Sequence, residues 1–71
     1  MQDFLDQVAE VLEVPSVSAA DDFRTVPYWS SLTGFALMVM ISQRYGRQVS
    51  ADALRAARTV ADLAVLAGVS A

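Results

Sequence analysis

Between Trp29 and Tyr45 the chain reads W-S-S-L-T-G-F-A-L-M-V-M-I-S-Q-R-Y, about four helical turns with no charge before Arg44. A helix this apolar is not stable alone in water, so the rest of the chain must be arranged around it. Two serines open it, and either is a suitable cap. Stepping by roughly 100° per residue from Ser31 brings Gly34, Leu37, Met38, Ile41 and Tyr45 into one sector, the expected core face. Leu32, Phe35 and Val39 lie outside it and form a second apolar stripe that begins beside the serine. Helices that are apolar on more than one side are either deeply buried or bind something. We read Ser31 as carrying a chemical group and the stripe as meeting partners.

The chain has 71 residues, enough for one small domain spanning 1–71 and a core just large enough to fold unaided. Its net charge is -3, from eight acids against five arginines and no lysine, with no basic patch. That argues against a protein that tracks nucleic-acid phosphates. No cysteine is present, so no disulfide framework is available and a reducing compartment is permitted. No apolar run approaches the ~20 residues that span a bilayer, and the N-terminus lacks the basic start and apolar centre of a signal peptide. The expectation is a soluble, cytoplasmic protein.

The missing residue types narrow the chemistry further. Without histidine or cysteine there is no Ser/His/Asp triad, no thiolate nucleophile and no zinc site of nitrogen or sulfur ligands. Without lysine there is no Schiff base. Asp21 and Asp22 fall far short of the roughly six to eight oxygens that calcium prefers, and read as a solvated acidic turn. Gly34, Gly46 and Gly68 are isolated, so no phosphate-cradling glycine loop exists. An enzyme acting alone is not expected.

Phe4, Leu5, Val8, Val11 and Leu12 have the spacing of an amphipathic helix, expected over residues 2–13 with Asp3, Asp6 and Glu10 on its solvated side. Pro15 should end it by disfavouring helical geometry at Val14. From Val14 to Trp29 no period is sustained. A connection of this length needs pins, for which Val17, Phe23, Val26 and Tyr28 are candidates, Phe23 first. Pro27 extends the chain before Tyr28 and Trp29, and Trp29 reads as a partly buried lid on the helix end. Gly46 is placed to cap the central helix, with Arg44 and Arg47 near its negative end. Ser50 can cap a short helix from Ala51 to Arg55, with Val49 and Leu54 turned inward. Thr59 and Asp62 resemble a capping box for a last helix, which has Val60, Leu63, Ala64 and Leu66 or Ala67 on its apolar face and Gly68 as its stop. The expected fold is all-α, a small four-helix bundle of three longer helices and one short third helix, with a long loop between the first two.

In order and motifs the chain resembles the acyl carrier proteins and related phosphopantetheine-binding carriers. The resemblance rests on W-S-S-L-T at Trp29 to Thr33, Y-G-R-Q-V-S-A-D-A-L at Tyr45 to Leu54, and T-V-A-D-L at Thr59 to Leu63. In that family an Asp-Ser-Leu signature holds the serine that bears a 4'-phosphopantetheine arm, whose thiol carries an acyl group as a thioester. The resemblance implies that Ser31 is the attachment serine and Leu32 the leucine after it. Ser30 stands where the family usually has aspartate, and so offers the modifying transferase only a neutral oxygen. A hydroxyl at a helix start also suits a phosphodiester on physical grounds, being close to unpaired N–H groups and the positive end of the dipole. A serine before a helical run is, however, ordinarily only a cap.

The implied function is transport. A phosphopantetheinyl transferase would modify Ser31, and acyl-loading and acyl-processing enzymes would serve the arm of a monomeric carrier for a specialised pathway, of polyketide, fatty-acyl or related secondary metabolism. The second helix of most such carriers is acidic, whereas Thr33, Ala36, Met40, Ser42 and Gln43 are uncharged here. Partner recognition should therefore rest on Ser30, Leu32, Phe35 and Val39 more than on charge. Met38 and Met40 are adaptable enough to shelter a short acyl chain between helices. Two other readings share the sequence. One is a stand-alone aminoacyl or peptidyl carrier of a peptide-assembly system. The other is an unmodified helical interaction module that uses the same stripe.

Overall fold

Phe4, Val8 and Leu12 recur every four residues and are fully buried, the consequence of a helical period laid against an apolar neighbour. The computed structural model describes residues 1–69 and contains four α-helices: α1 Gln2–Leu12, α2 Ser31–Tyr45, α3 Ala51–Ala56 and α4 Val60–Leu66. No β-strand occurs among the described residues. α1 packs on α2 and on α4. At its end the ring of Phe4 meets Tyr45 edge-on, with centroids 5.4 Å apart. Helix α4 is only one residue longer than α3.

α1 stops earlier than the proline argument requires. Glu13 takes a left-handed conformation (φ 59°), and the Val14 N–H bonds back to the Ala9 carbonyl at 3.0 Å. The helix is thus closed by a reversal at Glu13, not broken at Val14, which satisfies the carbonyls of Ala9 and Glu10. A non-glycine residue in this region costs about 1–2 kcal/mol.

The core face of α2 is also turned from the expected sector. Gly34, Leu37, Met40 and Ile41 are buried, while Met38 and Tyr45 are half-buried. α1 covers the Met40 side of α2, where Met40 and Val11 border the same surface groove. Periodicity on one helix cannot register this, because the neighbour decides which arc is covered. At the far end Gly46 is left-handed (φ 67°) and its N–H reaches the Ser42 carbonyl, as a glycine cap should.

The loop between α1 and α2 is pinned by Phe23, which is completely buried and begins a single 3-10 turn, Phe23–Thr25. Val17 and Val26 are half-buried, but Tyr28 is 65% exposed and pins nothing. The extended approach expected after Pro27 is not formed: Pro27 and Tyr28 make a turn that the Trp29 N–H closes onto the Val26 carbonyl at 3.2 Å, and the Tyr28 side chain faces solvent. The loop also grips the far end of the chain. The carbonyls of Asp21 and Ala19 accept the N–H groups of Val60 and Ala61, at 2.9 and 2.8 Å. Ser50 caps α3 through the Ala53 N–H, and Thr59 with Asp62 forms the capping box of α4. No polar or charged side chain is buried among the described residues, so the core is purely apolar.

Candidate functional site

The two serines at the head of α2 have separate jobs. Ser30 is extended (φ -157°, ψ 174°), its hydroxyl oxygen accepts the Thr33 N–H at 3.3 Å, and its carbonyl accepts from Gly34. It is the cap. Thr33 braces this arrangement by donating its own hydroxyl to the Tyr28 carbonyl at 3.1 Å. Ser31 is the first helical residue, exposed, and its hydroxyl bonds to nothing among the described residues. The sequence left open which serine caps the helix, and the geometry assigns that role to Ser30.

The electrostatics at this end follow from what is missing. α1, α3 and α4 each place an acid in the first turn, Asp3, Asp52 and Asp62 respectively, and α2 places none. Among the described residues no acceptor is bonded to the N–H of Ser31 or Leu32. Unpaired donors and an unneutralised dipole together favour an anion by several tenths of a kcal/mol or more. An oxygen-rich phosphodiester on the Ser31 hydroxyl fits this environment.

A groove of about 460 Å³ starts at Ser31 and runs between α2 and α3. Trp29, Gly34, Met38 and Leu54 give it an apolar lining, with Arg24 and Arg55 at its edge. Trp29 is half-buried, as a lid should be, and stacks edge-on against Phe23 with centroids 5.6 Å apart. Gly34 lies beneath this lid, where a Cβ would make only ordinary contacts. A Cβ there would sit 3.4 Å from both the Trp29 ring and a Leu54 methyl. Met38 lines the groove, but Met40 is turned away against α1 and does not.

The predicted stripe is on the surface beside the serine. Leu32 is 80% exposed and Phe35 62%, large values for apolar side chains, while Val39 is half-buried. Ser31, Leu32, Phe35 and Val39 lie on one side of the first three turns of α2, and Ser30 precedes them as the cap. The carboxylates of the acidic pair in the loop have only local roles. Asp21 accepts from the N–H and the hydroxyl of Ser18, which hold its carboxyl below the usual range, and Asp22 caps the 3-10 turn through the Arg24 N–H. No group of potential metal ligands occurs among the described residues, nor any helix long and apolar enough to cross a membrane.

One residue near the site has no counterpart in the sequence reading. Arg24 reaches from the loop to the carbonyls of Leu54 and Ala57, both at 2.6 Å, 30 and 33 positions away in the chain. Its only sequence signal is that it is the sole basic residue between α1 and α2, next to the best anchor.

Comparison with known families gives one result: the model described as "Phosphopantetheine attachment site" matches residues 2–66. Neither the curated proteins nor the solved structures compared with the chain give a significant match.

Proposed function

Because this chain belongs to the family of phosphopantetheine-binding carriers, whose members hold 4'-phosphopantetheine covalently and are not themselves enzymes, we propose that Ser31 bears the group here. The observation that carries this reading is the division of labour at the helix start. Ser30 does the capping, which leaves the Ser31 hydroxyl exposed, unbonded among the described residues and able to act as the nucleophile in modification. The open N–H groups of Ser31 and Leu32, at the same helix start, would favour the phosphodiester.

The group supplies a thiol on which an acyl chain is held as a thioester. The chain's own residues do the rest. Ser31 anchors the arm, the open helix start favours the phosphate, and the apolar groove between α2 and α3 offers cover for a short acyl chain. An apolar groove supports acyl cargo over aminoacyl cargo, as does the W-S-S-L-T context, which resembles discrete acyl carriers. We read the protein as a single-domain, monomeric, cytoplasmic carrier serving a specialised pathway, of polyketide, fatty-acyl or related metabolism.

Carriers of this family work with a phosphopantetheinyl transferase and with partner enzymes. In this chain the proposed contact surface is Ser30, Leu32, Phe35 and Val39. Leu32 and Phe35 project from a helix that has no acid, so docking depends on apolar burial and only weakly on salt. A change of Phe35 to Glu should abolish transfer by partners that a doubling of ionic strength leaves almost untouched.

The deciding experiment is the intact mass of the protein after coexpression with a broad-specificity phosphopantetheinyl transferase, compared with Ser31→Ala. The expected result is a gain of one phosphopantetheine in the wild type and none in the variant. A wild type that stays unmodified, even with several transferases, would favour the plain interaction module. A variant that is still modified would move the attachment to another hydroxyl.

A further inference from the structure

Helix α3 has six residues, far fewer than the ~12–15 that an isolated helix needs to persist in water. Within it only Leu54 is buried, and Asp52 and Arg55 pair with each other on the solvent side. Its last carbonyls point at Arg24. One terminal nitrogen of that guanidinium donates to Ala57 at 2.6 Å, and the other donates to Leu54 at 2.6 Å and to Arg55 at 3.1 Å. The planar fork thus closes three carbonyls at once, and its charge lies at the negative end of the α3 dipole.

The fork has a rigid base. Its carbon lies 4.6 Å from the centroid of the Phe23 ring, which is completely buried, and the Arg24 N–H is held by the Asp22 carboxylate at 2.9 Å. Arg24 also borders the groove that starts at Ser31, opposite the arc of α2 that carries Gly34 and Met38. Since α3 forms the other wall through Ala51, Leu54 and Arg55, whatever fixes α3 fixes the width of the groove.

Resting on the carrier reading above, we propose that Arg24 is a positioning residue: it latches α3 against the loop and so sets how well a chain tethered at Ser31 is shielded from solvent. With three hydrogen bonds spent on carbonyls, the fork acts by placing a helix and not by holding an anion. Lysine cannot substitute, because one ammonium cannot bridge three carbonyls in a plane.

The test has two arms, both on Arg24→Lys and Arg24→Gln beside the wild type. In the unmodified proteins, amide exchange is followed by NMR. The expected result is roughly tenfold faster exchange of the Leu54 to Ala57 amides in both variants, with Leu37 to Ile41 in α2 changed by less than about twofold. Unchanged α3 amides, or equal acceleration in every helix, would overturn the latch. In the second arm the modified proteins carry a hexanoyl thioester, and its cleavage by hydroxylamine is timed. Several-fold faster cleavage in the variants is expected, and equal rates would overturn the shielding role even if α3 has loosened. If the wild type takes up no phosphopantetheine, the carrier reading fails on its own, because the exchange arm needs no modification.

Discussion

The starts of α2 and α4 are made from the same part, a small hydroxyl residue in extended backbone, and are finished in opposite ways. At α4 nothing is left over. The Thr59 hydroxyl takes the Asp62 N–H, the Asp62 carboxylate takes the N–H groups of Arg58 and Thr59, and two loop carbonyls take those of Val60 and Ala61. At α2 the Ser30 hydroxyl takes one N–H, and the first turn has no acid. Both helices face the same requirement, to satisfy their first donors. The start of α4, which serves only the fold, is closed by its own chain. One that is to receive a charged group is better left unfinished, and that is the condition the proposed attachment at Ser31 needs.

Substitutions at the two starts can break that contrast. The largest loss is expected from Thr59→Ala, about 1–2 kcal/mol by urea unfolding, since the cap and its reciprocal carboxylate bond fail together. Ser30→Ala should cost less, about 0.5–1 kcal/mol, for one neutral bond at an exposed helix end. Equal costs would erase the distinction between the two starts.

Asp62→Asn sharpens the comparison through pH. The N–H groups of Arg58 and Thr59 hold the Asp62 carboxyl below its ordinary value of 3.8. A carboxylate lowered in the folded state stabilises fully above its unfolded pKa and loses this effect as pH falls through the folded value. The gap in melting temperature between wild type and variant should therefore be complete at neutral pH and close below about pH 4. A gap that persisted into strong acid would mean that the charge is not involved. The smallest effect is expected from Ser31→Ala, less than about 0.5 kcal/mol, because its exposed hydroxyl bonds to nothing among the described residues. A larger loss would make Ser31 a second cap and remove it from the open end.

Features with a local cause were legible in the sequence. The Thr59 and Asp62 box, the Ser50 cap, the Gly46 reversal and the burial of Phe23 each follow from residues within a turn of one another or from one large side chain in a polar loop. The family was legible because its motifs spread along most of the chain. Features decided by a distant neighbour were not. Met40 rather than Met38 entered the core because α1 lies on that side, and Arg24 found its partners 30 to 33 positions away. Tyr28 failed as a pin although its composition fits, because it sits in the turn from Val26 to Trp29 with its side chain outward. The division between Ser30 and Ser31 could not be read from adjacent identical residues. One residue of register decides it, and only backbone geometry fixes that register.

The lid over the groove has an optical consequence. Trp29 is the only tryptophan in the chain, and it borders the groove that begins at Ser31 while resting on Phe23. Indole emission follows the polarity of its surroundings, so this ring is a built-in fluorophore for the state of the groove. An apolar chain entering there replaces water beside the indole and shifts its emission to the blue, while a chain left in solvent does not. Loading, sheltering and release could therefore be followed in real time on the unlabelled protein, from one residue and one wavelength of excitation.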